Sequence, residues 1–474
     1  MTRGKQEKKR LILNLFEMNT VSHIKHGLWP LPGNNRHRFN EPAYWTELAE
    51  ILEDGGFTGV FLADVVGAYD TFRGGIATAL VEGLQIPSND PLLVVPIMAQ
   101  ATKHLGFGVT FSTSYEPPFA FARRLSTLDH LTAGRIGWNI VTSYLPNAAE
   151  NFGLAAEIPH DRRYEIADEF LDVVYKLWEG SWDDDAVLID RERKVYTDPT
   201  KVRRIDHVGE VFRVAGPHLV QPSPQRTPVL FQATGSPAGT EFAGRHAEVV
   251  FTGGHSAEDF RRNAAAMTAA AARHGRSRED LRFIVQAGIV VGRTEDEALD
   301  KWRLYQEHTS LDGILAHAGF PVDLPAFPRD WTVAAAFGAA GVPLDELPGY
   351  VQAEARVGEV LDRLRGQREG RYFVAGTPEV VADEIERWLD EDGVDGINLR
   401  QYHSFDTARD FAELVVPELR RRGRILDRPS APVTLRETLF GRGPRLEPSH
   451  AAARYRGGAN LDVPVEPLRF GAAV

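Results

Sequence analysis

The strongest constraint on the fold is a repeated alternation of short apolar runs with longer segments of helical periodicity. Apolar residues at helical spacing fill residues 162–178, 257–274 and 405–421. Strands that are apolar throughout are typical of parallel strands covered on both faces. Eight apolar runs read as such strands: RLILNLF (10–16), TGVFLAD (58–64), GFGVTFS (106–112), RIGWNIV (135–141), PVLFQ (228–232), EVVFTG (248–253), RFIVQAGIVVG (282–292) and DGINLRQ (395–401).

This order predicts an α/β protein, a TIM (β/α)8 barrel with several insertions and a C-terminal extension. An open, doubly wound sheet is the alternative. The count of eight strands favours the barrel, and the G-x-G-x-x-G pattern of dinucleotide-binding doubly wound folds does not occur in the chain.

Several segments fall outside the alternation. Residues 1–9 are expected to be a disordered N-terminus, and the barrel domain is expected to span residues 10–423. Two of the insertions follow the second and seventh strands, so they are expected to cover the C-terminal mouth, the later one as a lid. The C-terminal arm is expected to run along the outside of the barrel or a neighbouring subunit. The insertions lie near residues 65–90, 181–221 and 302–370, and the arm comprises residues 424–474.

Composition narrows the class of function. The chain has 54 basic and 66 acidic residues, a formal charge of −12, which argues against a nucleic-acid partner. It contains no cysteine, which excludes a thiol nucleophile, a cysteine-ligated metal and a disulfide framework, and which fits a cytoplasmic location. No apolar run approaches the roughly 20 residues of a membrane span, so no membrane association is expected.

Barrel active sites form where the strands end at the C-terminal mouth. The mouth is expected to be polar. P-loop, G-x-S-x-G and H-E-x-x-H motifs are missing from the chain. His23 and His26 form an H-x-x-H pair, which is either part of a metal site or one pocket and one surface histidine. The residues expected past the strand ends include Glu17, Asn19, Thr20, His23, Asp64, Tyr69, Ser112, Thr113, Tyr115, Glu116, Asn139, Thr142, Ser143, Tyr144, Gln401 and His403.

The fifth strand ends in a run of small residues, ATGSPAG (233–239), before a predicted helix. Small residues permit a close backbone approach, and a helix N-terminus attracts an anion. An ordinary strand-to-helix turn is the alternative. Asp64 can likewise accept hydrogen bonds from a ligand or cap a turn, and Tyr164 can belong to the core or reach the mouth.

Long stretches of the chain carry a resemblance that covers residues 10–456. They are similar to flavin-dependent monooxygenases of the bacterial luciferase superfamily, in the branch of nitrilotriacetate, dibenzothiophene-sulfone and long-chain alkane monooxygenases, and are most similar to the last of these. The stretches include LFEMNTVSHIKHGLW, YWTELAEILEDGGFTGVFLADVVGAYD, HDRRYEIADEFLDVVYKLWEGSW, PSPQRTPVLFQATGSPAGTEFAGRHAE and LFGRGPRLEPSHAAARYRG.

The resemblance implies that the chain binds FMN in its reduced form, FMNH2. Asp64 would lie beside the isoalloxazine ring, and Ser143, Tyr164 and Ser236 would surround the phosphate. Hydroxyls and N–H groups at a helix start suit such an anion. The cofactor-binding residues implied are Asp64, Ser143, Tyr144, Tyr164, Ala233 and Ser236.

The resemblance also implies a two-component enzyme. A separate NAD(P)H:flavin reductase would supply FMNH2, and this chain would form a C4a-(hydro)peroxyflavin with O2 and oxygenate a small or medium organic substrate, alkane-like or organosulfur. A homodimer or homotetramer is expected. The alternatives are a flavin- or deazaflavin-dependent hydride-transfer enzyme on the same barrel and a non-catalytic flavin-binding protein.

The residues implied near the reactive edge of the flavin are His23, Tyr69 and His317 as catalytic residues, with Thr20 and Gln85 contacting substrate. Two positions depart from the alkane enzymes, which have Cys at the position of Thr20 and His at that of Tyr144. Both lie near the expected chemistry, so they leave the substrate open while the flavin site is retained. Thr20 is expected to make the pocket slightly more polar and Tyr144 to narrow it.

Overall fold

Eight parallel strands close into a barrel in the computed structural model, which describes residues 8–253, 256–365, 370–425, 427–462 and 468–470. The last strand pairs with the first, with Leu399 opposite Leu15, and the sixth pairs with the seventh. The predicted TIM barrel is therefore confirmed. The strands are β1 (Ile12–Met18), β2 (Gly59–Ala63), β3 (Gly106–Ser112), β4 (Ile136–Val141), β5 (Val229–Ala233), β6 (Val249–Phe251), β7 (Arg282–Val291) and β8 (Gly396–Arg400).

Helices follow the strands around the outside. Proline at the first or second helical position begins several of them, where its missing N–H costs no hydrogen bond. The α-helices are α1 (Pro42–Asp54), α2 (Ala77–Glu82), α3 (Val95–Gln100), α4 (Pro118–Leu131), α5 (Pro146–Asn151), α6 (His160–Tyr175), α7 (Pro237–His246), α8 (Ala257–Arg273), α9 (Glu295–Glu307), α10 (Leu311–His317), α11 (Val333–Ala340), α12 (Val357–Arg365), α13 (Pro378–Arg387), α14 (Asp406–Asp410), α15 (Val416–Arg421) and α16 (Leu435–Phe440).

Aromatic side chains fill the barrel interior. The rings of Phe16 and Phe61 lie 5.6 Å apart, and Phe231 lies 5.7 Å from Phe61. Helix α16, within the predicted C-terminal arm, contributes Leu435 and Leu439 to the same cluster. This part of the arm therefore packs against the chain's own barrel, near the N-terminal ends of the strands.

The insertions after β2 and β7 form a second hydrophobic cluster of their own, which includes Tyr69, Phe72, Phe320 and Phe337. Arg73 joins the two insertions through ion pairs with Asp312 at 2.6 Å and Asp323 at 2.8 Å. The insertion at residues 181–221 holds two small hairpins, Val187–Asp190 with Val195–Thr197 and His207–Val208 with Arg213–Val214. A short strand, Phe373–Gly376, pairs with the second half of β7.

The expected disordered start falls largely on residues 1–7, which lie outside the described residues; Lys9 donates to the carbonyl of Gly393 at 2.9 Å. Helix α16 is absent from the prediction because it is short and lies in a segment rich in Pro, Gly and Arg. Among the described residues, no helix has the length and apolar character needed to cross a membrane.

Candidate active site

A cavity of about 330 Å³ opens at the C-terminal ends of β4 and β5, between α6 and α7. Its lining includes five of the six predicted cofactor-binding residues: Asp64, Ser143, Tyr144, Tyr164 and Ala233. The sixth, Ser236, is not among the lining residues; it is the N-cap of α7, three residues after Ala233. With Thr110 and Ser112 of β3 and Phe242 of α7, the lining comes from four separate strand ends and two helices.

The start of α7 packs closely against Tyr164, a lining residue, because of a single glycine. Ser236 caps the helix, its Oγ accepting from the N–H of Gly239 at 3.0 Å. A Cβ at Gly239 would collide with Thr234 Oγ1 and lie 2.7 Å from the hydroxyl of Tyr164. Only glycine therefore lets the Tyr164 hydroxyl reach the first turn of α7, where N–H groups and the helix dipole favour an anion.

Ser143 follows β4 in an unusual backbone conformation, with φ of 57°. Few residues other than glycine adopt this left-handed region, and those that do are concentrated at functional sites. Its Oγ donates to Ser112 Oγ at 2.8 Å. The turn thus holds two hydroxyls side by side at the edge of the cavity, and both residues line it.

Two basic residues of α6 also line the cavity, His160 and Arg163. Arg163 is buried and pairs with Glu157, and burial lowers the pKa of its guanidinium. Of the α6 residues here, only Tyr164 is predicted from the sequence. The missed signal is helical spacing, because His160, Arg163 and Tyr164 lie three and four residues apart on one helix face.

The lining of the cavity includes a buried hydrogen-bond acceptor, the side-chain oxygen of Gln232. Asn139 Nδ2 donates to Thr110 Oγ1 at 2.9 Å, and Thr110 and Gln232 line the cavity. Gln232 Oε1 is buried without a hydrogen-bond partner among the described residues, and so is the oxygen of Asn139, which lies behind Thr110 and is not one of the lining residues. An unsatisfied buried acceptor costs about 1–3 kcal/mol. Together with the hydroxyls beside the start of α7, the Gln232 oxygen fits a ligand that has N–H donors at one end and negative charge at the other, as a flavin mononucleotide has.

Asp64 stands between this cavity and a second one of about 580 Å³. Burial, reinforced by the nearby Asp90, raises the pKa of its carboxyl to about 7, against a hydrogen bond from the N–H of Val65. The second cavity lies under the insertion after β2 and is lined by Gln85. Its outer wall includes the stacked rings of Tyr115 and Phe152, 4.5 Å apart.

Hydrogen bonds join three of the predicted residues between the two cavities. The hydroxyl of Tyr69 donates to Gln85 Oε1 at 3.3 Å and lies 2.8 Å from the hydroxyl of Tyr144. Because the single proton of Tyr69 goes to Gln85, Tyr144 is the donor to Tyr69. Burial raises the pKa of both tyrosines, so both stay protonated at neutral pH.

In the structure His317 contacts Tyr69, whereas His23 lies away from both cavities. The rings of His317 and Tyr69 meet edge to face at 4.8 Å. His23 packs edge-on against Phe16 at 4.5 Å and lines neither of the two cavities. Burial lowers the pKa of both histidines, that of His317 to about 4, so both are neutral at pH 7.

Thr20 is fully buried, and its hydroxyl donates to the carbonyl of Pro87 at 2.7 Å. It presents no hydroxyl to either cavity, so it adds no polarity to them. The H-x-x-H pair is also split, because His26 turns toward His317. Across the described ranges, no three or more His, Asp or Glu side chains group as metal ligands would.

Comparisons with known proteins agree with this geometry. A family model for luciferase-like monooxygenases matches residues 17–396. The chain is 48% identical to a long-chain alkane monooxygenase of Geobacillus thermodenitrificans (strain NG80-2), over 94% of this chain and 98% of that relative. It is 42% identical to a dimethyl-sulfide monooxygenase of Hyphomicrobium sulfonivorans, over 95% of this chain and 94% of that relative. A solved structure of a riboflavin lyase with modified FMN and substrate riboflavin aligns with a TM-score of 0.83 at 36% identity, over 95% of this chain and 99% of that one.

Proposed function

The chain belongs to the family of luciferase-like, flavin-dependent monooxygenases, and from this premise we propose that it works with reduced FMN as one component of a two-component system. A separate NAD(P)H:flavin reductase would supply the reduced flavin. The observation that carries the proposal is the 330 Å³ cavity, whose lining combines the hydroxyls of Ser143 and Tyr164, next to the start of α7, with the unsatisfied buried oxygen of Gln232.

The residues of this chain would hold the cofactor by its two ends. Ser143, Tyr164 and the first turn of α7 would bind the phosphate, and Gln232 would accept from an N–H group of the ring system. When bound, reduced FMN supplies the electrons that activate O2, so that one oxygen atom enters the substrate and the other leaves as water.

The residues between the cavities would donate, accept and hold protons. Tyr144 and Tyr69 are protonated, and each already donates along a fixed chain that ends at Gln85. Neutral His317 can accept a proton, and Asp64, with its pKa near 7, can hold or release one at neutral pH. The paired insertions would exclude water from this chemistry.

The substrate is proposed to be a small or medium organic molecule, alkane-like or organosulfur. The names of the two relatives support this class. The second cavity has room for such a molecule, and its lining contains apolar side chains (Ile76, Ile86, Phe111, Tyr115 and Phe152) together with the carboxyl groups of Asp64, Asp70, Asp90 and Glu116.

The test mixes the protein anaerobically with photoreduced FMN and then with ¹⁸O2, in the presence of dimethyl sulfide or a long-chain n-alkane. We expect one ¹⁸O atom in the product of at least one substrate, found by mass spectrometry and dependent on reduced FMN. Oxidation of the flavin with no labelled product from either probe would contradict the proposal. If the protein also consumed one of the probes in the absence of O2, hydride transfer would replace oxygenation as its function. Light scattering of the same preparation tests the expected homodimer or homotetramer.

A further inference from the structure

His26 belongs to a buried hydrogen-bond chain that ends at His317. It is 1% exposed and lines neither cavity of the candidate site. Its Nε2 lies 2.9 Å from His317 Nδ1, and its Nδ1 lies 3.3 Å from Ser22 Oγ. Ser22 Oγ in turn lies 2.5 Å from the carbonyl oxygen of Gly83.

The direction of every proton in this chain follows from its far end. A carbonyl oxygen only accepts, so the Ser22 hydroxyl donates its single proton to Gly83. Ser22 Oγ can then only accept from His26, which places the proton of His26 on Nδ1. The Nε2 of His26 is left with a lone pair, so the proton shared with His317 belongs to His317 Nδ1.

This arrangement requires both rings to be neutral. Burial lowers the pKa of His26 well below its usual value, and that of His317 to about 4. Two neutral rings joined by one hydrogen bond share one proton between the facing nitrogens. The hydrogen bond between Ser22 and His26 determines which of the two rings carries this proton.

We propose that His26 is a positioning residue that holds His317 in the tautomer protonated on Nδ1, so that His317 Nε2 is an unprotonated acceptor pointing away from His26. The opposite tautomer, protonated on Nε2, is the one that a neutral imidazole side chain favours in water. The Ser22–His26 pair therefore converts His317 from a donor at its outer nitrogen into a base. Its value for catalysis rests on the proposed function, in which His317 acts beside Tyr69.

The tautomer is measured without flavin, substrate or turnover. Long-range ¹H–¹⁵N spectra of the full chain labelled at histidine identify the protonated nitrogen, and the His317 signals are assigned by their loss in His317→Gln. In the unmodified protein we expect His317 protonated on Nδ1. In His26→Leu, which removes the acceptor, we expect the Nε2-protonated form to predominate.

Two further variants separate positioning from packing. In His26→Gln the side-chain Oε1 can accept from His317 Nδ1, so the unusual tautomer should persist. In Ser22→Ala, a small change that preserves packing, the Nε2-protonated share of His317 should rise. Protonation of His317 on Nε2 in the unmodified protein, or His317 signals in His26→Leu and Ser22→Ala that match those of the unmodified protein, would overturn the proposal whether or not the chain is an oxygenase.

Turnover gives a second readout once a substrate is found. A wrong tautomer beside the reacting group lowers kcat by about tenfold or more, so His26→Leu should lower kcat at unchanged affinity for reduced FMN, and His26→Gln should recover most of it. In a His317→Ala background, His26→Leu should cost nothing further, because the two act as one unit. Additive losses in kcat would contradict the positioning role.

Discussion

At the scale of single residues, the site contains ionisable groups whose pKa is shifted from its ordinary value. Asp64 is the clearest case, since its pKa is raised to about 7 from 3.8, mainly by burial. A carboxyl with a raised folded-state pKa stabilises the fold fully only below the unfolded value, and that contribution is lost as pH rises through the folded value. The carboxyl therefore weakens the flavin-free fold at neutral pH, which points to a role in function.

We accordingly expect Asp64→Asn to raise the melting temperature of the flavin-free protein. Asparagine does not ionise, so the gap between the variant and the unmodified protein should widen from about pH 4 to about pH 7 and then stay constant. Differential scanning fluorimetry across this range measures it. A gap that is independent of pH would show that Asp64 titrates as an ordinary exposed carboxyl.

Gly239 allows a second test, with a control inside the same turn. An added Cβ would collide with Thr234 and press on the Tyr164 hydroxyl, so Gly239→Ala should destabilise the fold by about 1–3 kcal/mol and weaken binding of reduced FMN. A Cβ at Gly235 meets no protein atom within 4 Å, so Gly235→Ala should leave the free energy of unfolding unchanged. Equal losses of stability for the two substitutions in urea denaturation would refute the close packing of this turn.

Sequence alone locates many of these residues but not their partners. Asp64, Ser143 and the turn before α7 could be predicted because strand ends of a barrel meet at one mouth. The chain Ser22–His26–His317 could not be, because it joins residues nearly 300 positions apart through a contact between a loop and an inserted helix. Likewise, no pattern in the sequence shows that the Thr20 hydroxyl donates to the Pro87 carbonyl.

At the scale of elements, the two insertions pack on each other in a cluster separate from the barrel core, with Phe320 fully buried in it. We expect Phe320→Ala to loosen this cover and raise the share of reduced flavin oxidised without product, because water then reaches the reacting flavin. Leu344→Ala, at an exposed position of the same insertion, is the control. The ratio of product to O2 consumed measures the effect; an unchanged ratio in Phe320→Ala would mean that the cover does not protect the chemistry.

Helix α16 is the element that links the C-terminal arm to the barrel. Leu439 is buried in the barrel cluster, so Leu439→Ala should lower the free energy of unfolding by about 2–5 kcal/mol. Thr438, next to it on the exposed face, is the matched control, for which Thr438→Ala should change stability by about 0.5 kcal/mol or less. Urea denaturation measures both changes. A small loss of unfolding free energy in both variants would show that α16 is not part of the cooperative fold.

The long elements follow from sequence because their periodicity is strong, as in α8, predicted over residues 257–274 and observed at Ala257–Arg273. The pairing of the insertions does not, since their apolar residues bury one another and not the barrel. Helix α16 escapes prediction because one and a half turns carry too little periodicity to stand out.

At the scale of the whole molecule, the barrel places residues from distant parts of the chain at one mouth, and the insertions close over it. The order of strands and helices is enough to predict this architecture, because eight parallel strands have few ways to bury both faces. The chemistry depends on a claim that the architecture alone does not make: reduced FMN lies with its phosphate at Ser143, Tyr164 and the start of α7.

The most direct test compares the affinities of reduced FMN and reduced riboflavin, which lacks the phosphate, for the unmodified protein and for Tyr164→Phe by anaerobic titration. A hydrogen bond to a charged group contributes about 1.5–3 kcal/mol. The substitution should therefore lower the affinity for reduced FMN by about tenfold or more and leave the affinity for reduced riboflavin nearly unchanged. Equal losses for both flavins, or none for FMN, would contradict the placement of the phosphate and with it the account of the site.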